Sequence, residues 1–270
     1  MSRTYAEVIG DPIAQSKSPT IHGFWLDRLG IAADYRREHV LADDLTDYLA
    51  RRRQDTDWRG CNVTMPHKQA VIPLLHTVDP LAARIGAVNT IVRGADGTLT
   101  GYNTDAPGFI EPIADRHFEC AIVVGAGGAA RAVLAALKDA GVRHVTLQNR
   151  NVDKAAALLA EFALPGAAVP LGAPAPQADL LVNTSALGMI GQPPLPPLLD
   201  HVAPGGVVYD IVTSPLETDL LRDARARGLV TVDGLAMLIG QADHAFARFF
   251  GAKPPRDADA ELRQRILATA

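Results

Sequence analysis

Lys68 closes the segment Gly60-Cys61-Asn62-Val63-Thr64-Met65-Pro66-His67-Lys68. The segment reads as a short apolar strand, a proline stop, and a lysine at the opening of a helix. A helix N-terminus carries partial positive charge, so a cation there meets an unfavourable dipole. Such a setting pushes an ammonium pKa down, and a lysine does proton chemistry near neutral pH only when so depressed. The plain alternative is a surface lysine facing water, as most lysines do.

A second place for chemistry is Gly125-Ala126-Gly127-Gly128-Ala129-Ala130, which follows an apolar run and precedes a helical pattern. This is the G-x-G-x-x-G/A arrangement in the context that a dinucleotide site requires. Gly125 allows the tight turn, Gly127 lets the backbone approach a pyrophosphate, and Ala130 keeps helix and strand close. Backbone N–H groups at the helix start then point at the anion. At the end of the following strand stand Asn149 and Arg150, with Lys154 one helical turn later. An acid there would accept from a ribose 2′-hydroxyl, whereas an arginine suits a 2′-phosphate. The alternative is that Arg150 and Lys154 only solvate a helix start, against its dipole.

The elements that must position these residues have a clear rhythm in the middle of the chain. Apolar runs recur at Ala121–Val124, Val145–Leu147, Leu180–Val182, Val207–Tyr209 and Leu229–Val232. Their length and continuous apolarity predict strands covered on both faces. Helical patterns lie between them. Ala129, Ala130, Val133, Leu134 and Leu137 form one stripe with Gly141 as its cap, and further helices are predicted over Asp153–Phe162 and Leu216–Arg227. This alternation argues for a doubly wound parallel sheet. The proline-rich pieces Leu164–Gln177 and Gln192–Pro197 read as irregular connections. Residues 1–105 also mix strands and helices with denser charge, and the chain from Leu235 onward reads as purely helical.

Composition narrows the function classes. Hydrophobic residues are 48% and charged ones 21% of the chain, the balance of a soluble globular protein with a sizeable core. A net charge of −4 with interspersed signs offers no basic field to nucleic acid. No apolar run approaches the ~18 residues of a membrane span. The start, MSRTYAEVIGDP, lacks the layout of a signal peptide, and Cys61 and Cys120 are too few for a disulfide framework. A cytoplasmic protein is expected. The histidines show no ligand spacing, so no metal site is expected.

Taken together, these motifs resemble the shikimate dehydrogenase family over nearly the whole length. Ser16-Lys17-Ser18-Pro19 is similar to its S-x-S-P segment, and Asn62–Lys68 to its N-V-T-x-P-x-K segment. Ala87-Val88-Asn89-Thr90 and Gly101-Tyr102-Asn103-Thr104-Asp105 resemble A-V-N-T and G-x-N-T-D. Gly125–Arg131 resembles the nucleotide loop. Asn183-Thr184-Ser185 with Gly188-Met189, then Asp233-Gly234-Leu235 and Gln241-Ala242, follow in family order.

The resemblance implies an α/β protein of two domains. An N-terminal α/β substrate domain would occupy residues 1–105 and a Rossmann-type doubly wound nucleotide domain residues 106–234. A helical tail, 235–270, would return to the first. It implies NADP-dependent reversible reduction of 3-dehydroshikimate to shikimate, a step of aromatic amino acid biosynthesis on the chorismate route. Lys68 and Asp105 would be catalytic, and Ser16, Ser18, Thr64, Lys68, Asn89, Asp105, Thr213 and Gln241 would bind substrate. Gly125, Ala126, Gly127, Gly128, Ala129, Asn149, Arg150, Lys154, Ile211 and Gly234 would bind the cofactor. The working state would be a monomer or a homodimer.

The residues themselves agree with these roles and leave alternatives. A carboxylate such as Asp105 fixes an ammonium by a charge-assisted bond. Asn62, Thr64, Asn89 and Asn103 add short polar side chains at strand ends, where clefts of α/β proteins open. Asn89 and Asn103 could equally brace turns, and Ser16 or Ser18 could cap a helix before Pro19. Thr213 stands where the family usually has a tyrosine that helps contact the substrate, and a water could fill the space left. Asn151 stands where many NADP-preferring members have threonine. The neighbouring alternatives are a broader quinate/shikimate dehydrogenase using NAD or NADP, and a nucleotide-binding regulator without turnover. The regulator predicts loss of Lys68 or Asp105, and both are present.

Overall fold

A computed structural model describes residues 3–268, so the outermost residues of the expected first and last segments lie outside it. The chain divides into two units, one running up to Thr104 and resuming at Ile239, the other from Asp105 to Leu238.

In the first unit the order is β1 (Tyr5–Gly10), α1 (Ser18–Leu29), β2 (Asp34–His39), α2 (Leu45–Gln54), β3 (Trp58–Val63), β4 (Thr77–Val78), α3 (Pro80–Ile85), β5 (Thr90–Arg93) and β6 (Leu99–Tyr102). They form one six-stranded sheet in the order β2-β1-β3-β5-β6-β4. β1 pairs parallel with β2 and β3, while β5 runs antiparallel to both β3 and β6. Tyr5, Ile9, Tyr48, Leu49, Trp58, Val63, Val88 and Ile91 belong to its core. α1 begins with Pro19 in its first turn and ends at Gly30 in the left-handed conformation, the usual asymmetry of proline at the start and glycine at the stop.

The second unit contains α4 (Asp105–Ile110), β7 (Cys120–Val124), α5 (Gly128–Asp139), β8 (His144–Asn149), α6 (Val152–Glu161), β9 (Gly166–Pro170), β10 (Ala178–Asn183), β11 (Val202–Asp210), α7 (Asp219–Ala226) and β12 (Val230–Val232). Its strands are all parallel, in the order β12-β11-β10-β7-β8-β9. The order reverses between β7 and β10, the switch point at which such sheets open a crevice. Ile122, Val123, Leu180, Leu181, Val182 and Val208 are fully buried, the continuous apolarity that a sheet covered on both faces needs. α8 (Gly234–Phe250) and α9 (Asp259–Ala268) complete the chain, and the division between the units falls within α8.

Four local expectations are corrected. Leu164–Gln177 is not all irregular, because β9 lies in it; it is a short, largely exposed edge strand of small residues between Gly166 and Pro170, which reads like the loop around it. The helix expected from Leu216 starts at Asp219, since the Thr218 hydroxyl accepts from the Leu221 N–H and fixes the cap there. The tail is interrupted by a bend and a proline pair after Phe250 and by a 3-10 turn at Arg256–Ala258. Lys68 does not open a helix. Residues 65–71 are turns leading to a 3-10 turn at Ile72–Leu74, because Pro66 and Pro73 interrupt a regular α pattern. No α-helix dipole therefore acts on this lysine.

Candidate active site

The strand directions of the first unit gather its polar residues. Asn62 of β3 pairs with Thr90 of β5, and Thr90 pairs with Tyr102 of β6. The C-terminal ends of β1, β3 and β6 and the start of β5 consequently share one edge of the sheet. A buried hydrogen-bond network lies along it. The Asn62 amide donates to Thr90 Oγ1 at 3.0 Å and to the Asn89 carbonyl at 3.3 Å. Asn89 Oδ1 accepts from the Thr104 N–H at 2.7 Å and from the Thr90 hydroxyl at 3.1 Å. Asn89 Nδ2 donates to Thr104 Oγ1 at 2.9 Å, and that oxygen lies 3.4 Å from Gln241 Oε1, to which it donates. Asn103 instead donates to the Ala87 carbonyl and braces the turn before β5. Thr64 and Lys68 are held by backbone: Thr64 N–H donates to the Ile9 carbonyl, and the Lys68 carbonyl accepts from Val88 N–H. Lys68 is half-buried.

Ser16 and Ser18 frame the start of α1. The cap residue is Lys17, with no side-chain cap, and Ser18 is the first helical residue. Neither serine is the N-cap, which corrects that alternative; the Ser16 hydroxyl oxygen accepts from the Ser18 N–H at 3.4 Å. Ser18 is buried and Ser16 half-buried.

Asp105 is the first residue of α4 in the second unit and is buried. The glycine turn leaves the sheet at the switch point. Gly125 has φ +107°, and a Cβ there would lie 2.8 Å from Thr184 Oγ1. Both facts require glycine. Thr184 in turn donates to the Val124 carbonyl at 2.6 Å, tying the end of β10 to β7. Ala126 is buried, Gly128 and Ala129 half-buried, and Ala130 fully buried against the sheet.

This turn fits a phosphorylated dinucleotide on its own geometry. A Cβ on Gly127 would meet nothing within 4 Å, so the backbone is open to approach. α5 begins without a side-chain cap or an acidic residue in its first turn, leaving its N–H groups for an anion. β8 ends beside the turn, the Gly125 N–H donating to the Gln148 carbonyl at 2.8 Å. Asn149 Nδ2 donates to the Asn151 carbonyl, and Asn151 caps α6 through the Lys154 N–H. Arg150 and Lys154 are exposed, and neither side chain has a hydrogen-bond or ion-pair partner among the described residues. They could hold a 2′-phosphate.

Across the crevice, Asn183 Nδ2 donates to Asp210 Oδ1 at 3.0 Å while its oxygen accepts from Ser185. Burial pushes the Asp210 carboxyl pKa up, opposed by hydrogen bonds from Thr218, the Val212 N–H and Asn183. Ile211 and Thr213, both half-buried, follow it in the loop that leaves β11. A Cβ on Gly234 would fall 2.4 Å from the carbonyl oxygens of both Ile211 and Val212, so only glycine lets α8 start against this loop.

Sequence reasoning missed Thr90, Thr104, Tyr35, Arg37 and Asp210 as site-shaping residues. Tyr35 and Arg37 lie on β2, whose charged sequence hides a strand and leaves Tyr35 as its one large hydrophobic residue. Among the described residues no helix is long and apolar enough to cross a membrane.

Comparison with known proteins gives this geometry its family. Residues 8–91 match the shikimate dehydrogenase substrate binding domain and residues 113–173 the shikimate / quinate 5-dehydrogenase family. The shikimate dehydrogenase (NADP(+)) of Sphingopyxis alaskensis is 59% identical over 98% of this chain and 97% of its own length. The structure of shikimate 5-dehydrogenase from Thermus thermophilus in complex with NADP(H) and shikimate is 39% identical. It superposes with a TM-score of 0.87, covering 97% of this chain and 99% of that one. Quinate dehydrogenase from Corynebacterium glutamicum in complex with NAD, 31% identical, has a TM-score of 0.82 over 98% and 99%. The chain belongs to the shikimate dehydrogenase family.

Proposed function

We infer that this protein catalyses the reversible NADP-dependent reduction of 3-dehydroshikimate to shikimate, a step of aromatic amino acid biosynthesis. The observation that carries the reading is the pairing of two different half-sites in one chain. One is the buried Asn62–Thr90–Asn89–Thr104–Gln241 network at a sheet edge that also holds Thr64 and leads to Lys68. The other is an open glycine turn flanked by two cations without partners among the described residues. Residues 1–105 act as the substrate domain, 106–234 as the nucleotide domain, and 235–270 as a tail serving the first.

Reduction turns a ketone into an alkoxide that must take a proton. Lys68 donates it from Nζ, with Asp105 assigned as its partner. In the oxidising direction the same amine accepts the proton. Ser16 and Ser18 bind the substrate carboxylate, while Thr64, Asn89 and Gln241 hydrogen-bond the ring hydroxyls. Thr213 borders the substrate with a shorter side chain than the family tyrosine. NADP would be held by Gly125, Ala126, Gly127, Gly128, Ala129, Asn149, Ile211 and Gly234, with Arg150 and Lys154 on its 2′-phosphate, and supplies the hydride.

Both half-sites come from one chain, which supports work as a monomer or a homodimer, and the sparse free cysteines support a cytoplasmic setting. Thr213 favours one second reading, a broader enzyme that also oxidises quinate in the space left by the tyrosine. Steady-state assays of shikimate and quinate, each with NADP and with NAD, separate the two.

A further inference from the structure

The edge strand β2 sends two side chains toward the Ser16–Ser18 segment. Tyr35 and Arg37 are two residues apart and so project from the same face. Arg37 donates from Nε and Nη2 to the Ser16 carbonyl at 2.9 and 2.6 Å. Tyr35 donates its phenolic O–H to Asn62 Oδ1 at 2.5 Å, with the Ser18 side chain beside the phenol. Its ring lies flat on His22 of α1, with centroids 3.9 Å apart and planes 3° from parallel.

His22 is fully buried among Trp25, Phe246 and Phe249, and neither ring nitrogen has a partner among the described residues. Burial holds its pKa down to about 3, so it is a neutral platform at ordinary pH. Burial likewise raises the Tyr35 phenol well above its usual range, which keeps the O–H as a donor. A ring fixed by stacking has little freedom left, so the hydroxyl is held between Ser18 and Asn62. Its donation also decides which way the Asn62 amide faces, leaving Nδ2 for Thr90 and Asn89.

We propose that Tyr35 and Arg37 are positioning residues that aim the Ser16–Ser18 segment, Tyr35 through its hydroxyl and Arg37 through the Ser16 carbonyl, for a carboxylate-bearing substrate. The inference rests on the roles of Ser16 and Ser18 given above. It makes β2, which touches no substrate in this account, a determinant of substrate affinity.

The test is steady-state kinetics with shikimate and NADP on the full chain. Tyr35→Phe keeps the ring stack and loses the hydroxyl; it should raise the shikimate KM about three- to tenfold, the size of one hydrogen bond, with kcat within about twofold and the NADP KM unchanged. Combined with Ser18→Ala, it should add less than about twofold to the effect of Ser18→Ala alone, because Tyr35 acts through Ser18. Arg37→Met, on the surface, should raise the same KM and supplies the readout if Tyr35→Phe does not fold. A fall in melting temperature with KM unchanged in either folded variant, or fully multiplicative effects in the pair, overturns the inference. A wild-type protein that does not turn over shikimate contradicts the proposed function instead, and the inference falls with it.

Discussion

Asn89 and Thr104 hold each other by reciprocal hydrogen bonds: the Asn89 carboxamide oxygen accepts from the Thr104 N–H, and its nitrogen donates to the Thr104 hydroxyl. The pair joins the start of β5 to the segment after β6, and Thr104 carries the connection on to Gln241 of α8. Asn89 is thus a brace as well as a residue assigned to the substrate. Asn89→Ala leaves the buried Thr104 N–H and Thr90 hydroxyl without their acceptor and the Thr104 hydroxyl without its donor, so it should lower stability by ~1–3 kcal/mol. The shikimate KM should rise with it. Urea unfolding and steady-state kinetics check both; a rise in KM with no shift of the unfolding midpoint would show that the brace contributes nothing.

Lys68 is assigned proton transfer, a role that usually contributes about 10²–10⁴ in rate. Lys68→Ala should lower kcat by about that factor. NADP affinity should hold, because the residues assigned to the nucleotide belong to the other unit. Binding titration and turnover measured on the same preparation test this, and a variant keeping about a third of wild-type turnover would remove the role.

Arg150 has no partner among the described residues that its loss would disturb. A hydrogen bond to a charged group is worth roughly 1.5–3 kcal/mol, and ~1.4 kcal/mol is tenfold in affinity. Arg150→Ala should weaken NADP about ten- to a hundredfold and leave NAD nearly unchanged. Equal weakening of both cofactors would make Arg150 a structural residue.

His22 gives stability a pH dependence whose sign is fixed by its burial. Its pKa is lowered from 6.5 to about 3 in the folded protein, so between those values the unfolded chain binds the extra proton. The stability tied to neutral His22 is fully present above pH 6.5 and is lost as pH falls toward about 3. The slope from this one group is ~1.4 kcal/mol per pH unit within the window. His22→Phe should unfold in urea with a shallower loss of stability from about pH 6 to about pH 5. An identical slope in wild type and variant would show that His22 does not carry it.

How much of this was legible in the chain depended on where each residue gets its partners. The nucleotide unit was readable because its strands are buried on both faces and so appear as apolar runs, and because Gly125 and Ala130 belong to one short turn whose spacing is visible in sequence. β2 was not, since its exposed charged positions mask the period, and neither was β9, a short exposed edge strand of small residues between a glycine and a proline. The Lys68 segment looked like a helix start, yet Pro66 and Pro73 leave it a run of turns. The network around Asn89 could be named by residue type but not wired, because the Asn62–Thr90 contact depends on antiparallel register across 28 residues.

The most direct test of the central claim is kcat/KM for shikimate and quinate, each with NADP and NAD, on the unmodified protein. Arg150 and Lys154 favour NADP. Replacing the family tyrosine by Thr213 would give quinate's extra hydroxyl room but no assigned hydrogen-bond partner, which disfavours that substrate. Shikimate with NADP should therefore exceed each other combination by at least about tenfold, the discrimination that one unsatisfied polar group produces. Comparable values for quinate, or for NAD, would contradict the account and favour the broader enzyme.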